Sequence, residues 1–287
     1  MPACAFLTIA DLSDFVSDDD LAVDLLRESG LRLDLVPWDQ PADWSRYDLV
    51  VIRTTWDYHE RPSEFLDTLH EIEQSSARLL NSLALVRWNL DKRYLLHLEQ
   101  KQVPIVPTRY STRLNDFEEL ASHFTAFDTQ ELILKPPVNV NAFSTYRLQR
   151  TGLEAHWPRL KEQFDASPYL AQPFMPHILN EGEFSLIYFN GRFSHAILKT
   201  PAAGDFRAQE EHGGVITPVE ANEGLRRVGR RALAALDEIP LYARVDLVRH
   251  TGDDFRIMEY ELIEPSLYLR MHPDAPRRFA DALQTAL

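Results

Sequence analysis

The chain has 287 residues, a formal net charge of −14 and 45% hydrophobic residues, enough for one large or two ordinary domains with a sizeable core. So acidic a balance excludes a general nucleic-acid or anionic-membrane binder, because phosphates would be repelled unless a basic stripe offset it. The arginine pairs at 226–227, 230–231 and 277–278 are too short and too interleaved with apolar residues to form one, and read as solvated helix faces. Cys4 is the single cysteine, so no internal disulfide forms. The start MPACAFLTIADLSDF carries no basic leader, and no apolar run approaches the ~20 residues of a membrane span. The expectation is a soluble, cytoplasmic protein with neither a nucleic-acid nor a membrane partner.

In chain order, AFLTIA (5–10) is a short apolar strand signal, followed by SDDDLAVDLLRESG. There Ser17 is the expected N-cap, acids fill the first turn, apolar residues recur three and four apart, and Gly30 stops the helix. LRLDLV (31–36), YDLVVI (47–52) and RLLN (78–81) read as strands and PSEFLDTLHEIEQ (62–74) as a helix. This rhythm predicts a small parallel βαβ sheet with helices on both faces, whose ligands gather beyond the carboxyl ends of the strands. RTTWDYHERP follows YDLVVI and puts Arg53, Trp56, Asp57, Tyr58 and His59 at one such end.

From about residue 104 the texture becomes α+β, after a proline-containing linker, VPIVPTRYS. ELILKPP (131–137), YLAQPF (169–174), EFSLIYF (183–189) and RFSHAILK (192–199) read as strands. Asn190-Gly191, joining the last two, is the strongest short hairpin signal available. ANEGLRRVGRRALAALDEI (221–239) is a helix, LYARVDLVRH and DFRIMEYELIE form a hairpin around Thr251-Gly252-Asp253, and DAPRRFADALQTAL closes as a helix.

Signatures for a P-loop, a Rossmann dinucleotide turn and a GxSxG nucleophile elbow are missing, and the ten histidines lack zinc spacing. The C-terminal hairpin says more. Period-two alternation puts Arg244 and Asp246 on one strand face and Glu259 and Glu261 on one face of the next. A turn centred on Gly252 sets Asp246 beside Glu259. Two or three carboxylates then crowd one face without a matched set of basic partners, which a hard divalent cation would relieve. A solvent-facing strand whose acids are merely hydrated stands equally open. Lys135, ending an apolar strand, and Lys92, in the helical stretch NLDKRYLLHLE, each read singly as surface solvation groups. Together with the acid hairpin and the polar stretch LKTPAAGDFRAQEEHGG (198–214), they supply what phosphoryl transfer needs: cations, a metal and a mobile cover.

On these residues the chain resembles the ATP-grasp superfamily, in particular bacterial glutathione synthetase and the O-ureido-serine cyclo-ligases of cycloserine biosynthesis. LAQPFMPHILNEGE is similar to the family's hinge; the resemblance implies that Gln172, Phe174 and Met175 border adenine and that Glu183 holds the ribose hydroxyls. LKTPAAGDFRAQEEHGG looks like the family's phosphate-covering loop, with Lys199 where Arg is common and Gln209 where Asn is common. It implies that Arg207 faces the transferring phosphoryl group, that Lys92 and Lys135 are the ATP lysines, and that Asp246, Glu259 and Glu261 hold magnesium, as a pair of ions. Glu261 departs from the family's usual Asn, and a place for Glu264 in the metal shell is left open.

The resemblance implies an ATP-grasp fold of mixed α/β and α+β class. Residues 1–103 would form a pre-ATP-grasp βαβ domain and 104–287 the ATP-grasp domain, with a smaller lid lobe at about 104–172 and a catalytic lobe at about 173–287. It also implies an ADP-forming carbon–nitrogen ligase that activates a small carboxylate as an acyl phosphate for attack by an amine, with Arg207 and Lys199 catalytic. In the resembled enzymes the loop after the third strand contributes to the acceptor site. Arg53 and Asp57 would suit the carboxylate and ammonium of an amino acid, with Tyr58 and Gln209 beside them. Equally, Trp56 and Tyr58 could pack a lobe interface while the charges face solvent. A phosphotransferase of the same fold and a non-catalytic nucleotide-binding regulator are the alternatives, and a homo-oligomer is compatible with the sequence.

Overall fold

The computed structural model describes residues 1–13, 15–139 and 144–287. Its first sheet is parallel, in the order β2-β1-β3-β4, from β1 (Ala3–Thr8), β2 (Arg32–Pro37), β3 (Leu49–Thr54) and β4 (Arg78–Leu80). Every residue of β1 and β3 is buried, as strands covered on both faces must be. Helices α1 (Asp20–Glu28) and α2 (Pro62–Gln74) cover the sheet, and Gly30, at φ +86°, ends α1 as expected. The N-cap differs: Asp19, not Ser17, precedes α1, and the Ser17 hydroxyl accepts the Asp19 amide N–H at 3.3 Å.

Next come α3 (Leu83–Leu90) and α4 (Tyr94–Gln100), so the expected single helical stretch is broken, with Lys92 in the break. Two buried asparagines tie this connection to the C-terminal hairpin. Asn81 donates to the Tyr242 and Leu262 carbonyls (3.0 and 2.7 Å) and accepts from Leu241 N–H (2.7 Å). Asn89 donates to the Tyr260 carbonyl (2.6 Å) and accepts from Leu262 N–H (2.8 Å). Both use donor and acceptor at once, so neither amide is stranded in the core.

The second sheet is antiparallel, in the order β5-β8-β6-β7, from β5 (Arg109–Ser111), β6 (Glu131–Lys135), β7 (Tyr146–Gln149) and β8 (Tyr169–Pro173). Helices α5 (Phe117–Ala126) and α6 (Trp157–Phe164) bury Leu120, Phe124, Leu160 and Phe164 against it. At about 1.5–3 kcal/mol for each large apolar side chain buried, such a core gives this lobe its own cohesion.

After the short α7 (His177–Asn180), a third, antiparallel sheet runs β11-β10-β9-β12-β13. Its strands are β9 (Glu183–Phe189), β10 (Arg192–Thr200), β11 (Val215–Val219), β12 (Tyr242–Thr251) and β13 (Asp254–Glu261). Asn190 and Gly191 both take positive φ between β9 and β10, the hairpin turn expected of Asn-Gly. Helix α8 (Glu223–Ala234) approaches so closely that a Cβ on Gly229 would stand 2.0 Å from the Tyr188 hydroxyl. Helix α9 (Ala275–Gln284) returns to the first sheet, its Phe279 ring 6.3 Å from Phe6 and 5.3 Å from Phe189. The first and third sheets therefore share one core, which fixes the loop after β3 against the end of β13.

Candidate active site

One large cavity opens where the three sheets meet, lined from the β3 loop, the α3–α4 break, β6, the end of β8 and β13. Its wall contains Lys92, Lys135, Gln172, Phe174, Met175, Glu183, Glu259, Glu261, Arg207, Gln209 and Tyr58. Four further residues of the sequence-based set, Arg53, Asp57, Lys199 and Asp246, lie outside it.

At the second-sheet end, Lys135 leaves β6 with its ammonium buried and no ion-pair partner among the described residues. Burial drives its pKa down to about 8, partly opposed by the Glu259 charge. Lys92 donates to the Asn139 carbonyl and pairs with Glu259, both at 2.8 Å. Gln172 donates to the Thr108 hydroxyl at 2.9 Å, and the Arg147 guanidinium lies 3.9 Å from the centroid of the Phe174 ring. Arg147 carried no signal in the sequence, being one cation in a short edge strand.

On the third sheet the register is the one read from the turn: Asp246 faces Glu259 and Arg244 faces Glu261. The expected lack of basic partners is corrected. Lys199 pairs with Glu183 and, at 3.2 Å, with Asp246; Arg244 pairs with Asp246 at 3.0 Å and with Glu261. Charges alternate along this buried chain from Glu183 to Glu261. Burial alone would raise the Asp246 carboxyl, but Arg244 and Lys199 outweigh it and hold it below the usual carboxylate range. Lys199, only 1% exposed, lies beneath the cavity wall rather than in it.

The loop between β10 and β11 covers one side of the cavity. Arg207 is held by Asp205 at 2.7 Å, while Glu210 binds Arg270 at 2.6 Å, and Arg270 also binds Asp18 at 2.9 Å. This latch fastens the loop to the entrance of α1. A Cβ on Gly214 would meet the Ala208 carbonyl oxygen at 2.3 Å, so the loop's folded-back exit requires glycine. The Gln209 side-chain oxygen is buried without a hydrogen-bond partner among the described residues.

The β3 loop reverses the expected division of labour. Arg53 is 2% exposed, binds Asp19 at 2.9 Å and the Pro265 carbonyl at 3.2 Å, and does not reach the cavity. Asp57 accepts the Trp38 indole N–H at 2.6 Å and stays outside. Trp56 and Tyr58 are the residues that face the cavity. Glu264, Ser266 and Tyr268, from the segment after β13, line the same cavity; of these only Glu264 drew notice in the sequence. Burial, then the Glu261 charge, raises Glu264 to about 8; burial likewise raises Glu261 to about 7 despite Arg244.

These residues fit a nucleotide triphosphate with its metal. Lys135 is a buried cation with no ion-pair partner among the described residues, and Glu259 and Glu261 present carboxylate oxygens to the same space. Asp246 differs: both its oxygens are already engaged, by Ser185, Arg244 and Lys199.

Comparison with known proteins agrees with this arrangement. A family model described as the N-terminal domain of the D-cycloserine synthetase DcsG matches residues 4–81. The cycloserine biosynthesis protein DcsG of Streptomyces lavendulae is 34% identical over 280 residues, covering 91% of each chain. The crystal structure of D-cycloserine synthetase DcsG superposes with a TM-score of 0.85 at 32% identity, over 99% of each chain. The ATP-grasp ligase PsnB with its minimal precursor (TM-score 0.70, 15% identity, 100% and 99% covered) shares the fold. So does the D-alanine–D-alanine ligase of Bacillus anthracis (0.66, 14%, 99% and 95%). The chain is an ATP-dependent carbon–nitrogen ligase of small substrates, working with ATP and magnesium, and it belongs to the DcsG family within the ATP-grasp superfamily.

Proposed function

We propose that the protein activates the carboxylate of an O-ureido-serine-type amino acid as an acyl phosphate and closes it onto the oxygen-bound nitrogen of the same molecule, giving a cycloserine-type ring that still carries the carbamoyl group, with ADP and phosphate. The observation that carries this reading is the joint cavity. Lys92, Lys135, Glu259 and Glu261 share it with the Trp56–Tyr58 loop, in a chain 34% identical to a cycloserine biosynthesis protein. Magnesium, as a pair of ions held by Glu259 and Glu261, supplies charge neutralisation at the phosphates when bound. Lys92 and Lys135 hold the phosphates, Gln172, Phe174 and Met175 border the base, and Glu183 takes the ribose. Arg207, released from Asp205, stabilises the charge that develops on the transferring group, with Gln209 beside it. Lys199 acts through Glu183 and Asp246 and is a positioning residue. Residues 1–103 supply the acceptor wall, about 104–172 the cover over the nucleotide, and about 173–287 the carboxylates. The β10–β11 loop excludes water, without which an acyl phosphate hydrolyses.

The test is release of ADP and phosphate from O-ureido-serine, single amino acids, and γ-glutamylcysteine with glycine, with mass spectrometry of the products. A dehydrated cyclic product from the ureido acid alone is expected. Coupling of two substrates would replace cyclisation, and a phosphorylated product without free phosphate would replace the ligase step by phosphotransfer.

Lys135 gives this reading a pH signature. Its ammonium is charged below about 8 and neutral above, and an anionic phosphate favours the charged form. ADP affinity without magnesium should therefore fall about tenfold between pH 7 and 9, one unit past the pKa. The stability of the ligand-free protein should follow the opposite trend. Its unfolded lysine titrates near 10.5, so the unfolded state binds more protons between the two values and stability rises with pH there. Lys135→Met should flatten the ADP titration; a slope that survives it would assign the dependence elsewhere.

A further inference from the structure

Four carboxylates reach the cavity wall from β9, β13 and the segment after it, and three have a cation: Glu183 has Lys199, Glu259 has Lys92 and Glu261 has Arg244. Glu264 has none within ion-pairing distance among the described residues, although it is only 7% exposed. A buried carboxyl left without a cation holds its proton, and a positive ligand group is the partner that would ionise it.

Its backbone is fixed with unusual care. The Trp56 indole N–H donates to the Glu264 carbonyl at 3.0 Å, Arg53 to the Pro265 carbonyl at 3.2 Å and Arg244 to the Ser266 carbonyl at 3.3 Å. These donors come from two different sheets, so the carboxylate is aimed by the junction between them. Trp56, Tyr58 and Tyr268 line the same cavity, and the Tyr58 phenol interacts with the Glu264 carboxyl itself. Trp56 is steadied by Phe15 at 5.1 Å between centroids, and Tyr58 stacks on Phe65 at 4.9 Å.

We infer that Glu264, with Tyr58 and the surrounding aromatic faces, is the subsite for a primary ammonium group, the α-ammonium of the amino acid that the ligase activates. The inference rests on the amino-acid reading of the preceding section. A compact ammonium has three donors for the carboxylate and phenol, and aromatic faces attract it further. A divalent metal is the poorer match, because magnesium requires near-octahedral oxygen ligands and aromatic walls offer few. This explains the altered roles in the β3 loop. Asp57 does not meet the ammonium; the loop shapes a site whose charge comes from the C-terminal lobe.

The experiment is calorimetric binding, in the presence of ADP and magnesium, of O-ureido-serine and of 3-(ureidooxy)propanoate, which lacks only the amino group. The protein as it stands should bind the amino acid about 50-fold more tightly, the scale of a charge-assisted hydrogen bond. Glu264→Gln should bring that ratio to within about threefold while leaving ADP affinity unchanged, and Tyr58→Phe should narrow it less. A ratio preserved in Glu264→Gln, an equal loss for both acids, or a raised magnesium requirement would overturn the inference. So would a ratio near one, or no binding of either acid, in the unaltered protein. A ratio that depends on Glu264, found with an acid that yields no ADP, would instead overturn the proposed reaction and leave the subsite standing.

Discussion

Glu259→Gln is expected to lower magnesium-dependent ADP release by about 10²–10³-fold, corresponding to the several kcal/mol that a metal contributes to transition-state charge stabilisation. The side chain of Glu259 is 30% exposed, faces the cavity and forms an ion pair with Lys92 at 2.8 Å. Burial would raise its carboxyl, but Lys92 and Lys135 hold it below the usual range, so it is an anion at neutral pH. Glutamine keeps the volume and one oxygen and removes the charge. Folding should survive, because Lys92 keeps its bond to the Asn139 carbonyl. Partial recovery at raised magnesium concentration is the signature that separates a metal role from a packing role. Activity within about threefold of the parent would place the metal elsewhere. Asp246→Asn is the less informative probe: it would also strip charge from the site where Lys199 and Arg244 converge, so lost activity could reflect lost structure.

The carboxylates themselves were legible in the sequence. A hairpin's register follows from its turn and its period of two, both local, and Thr251-Gly252-Asp253 set Asp246 opposite Glu259. The 172–175 stretch and the β10–β11 loop, which line the cavity, stood out for a similar reason, since each is one continuous stretch. What stayed hidden was pairing across the sheets. Lys199 reaches Asp246 from a strand 47 residues earlier, and Arg53 reaches Asp19 across 34 residues. Periodicity assigns a face and cannot say whether a distant cation shares it. Arg53 illustrates the consequence: it lies near the end of a strand buried on both faces, where an unpaired guanidinium could not persist, so its charge was committed to the fold. Glu264 lies past the end of β13, where no period applies. Its place is set by three side-chain donors on the backbone of 264–266, two of them from β3 and the loop after it. The β5, β7 and β11 strands were equally faint, being three to five residues long.

Lys199→Met should destabilise the protein by about 3–5 kcal/mol, because it removes one member of a buried charge chain and leaves the others in place. Among the described residues, Lys199 is the one ion-pair partner of Glu183 and one of two for Asp246. At roughly 2–4 °C per kcal/mol for domains of this size, the melting temperature should fall by about 10 °C. The pH dependence follows from the directions of the shifts. Burial would lower the Lys199 ammonium, yet Asp246 and Glu183 raise it above 10.5, so its contribution is complete below that value and lost only as pH rises through the higher folded one. Asp246 is depressed, so its share is present above 3.8 and lost as pH falls through the lower folded one. The gap between parent and variant should therefore be constant from pH 6 to 9, estimated from these windows, and should narrow in acid as protonated carboxyls cease to need a counter-charge. Lys199→Arg keeps the charge and should stay within about 1 kcal/mol of the parent, the scale of small side-chain changes. Adding Glu183→Gln to Lys199→Met should recover part of the loss, since it removes the carboxylate left without a partner. Thermal unfolding across this pH range checks all three variants. A Lys199→Met protein that melts with the parent at pH 7 would mean that Arg244 alone balances the carboxylates, and Lys199 would then lose its positioning role.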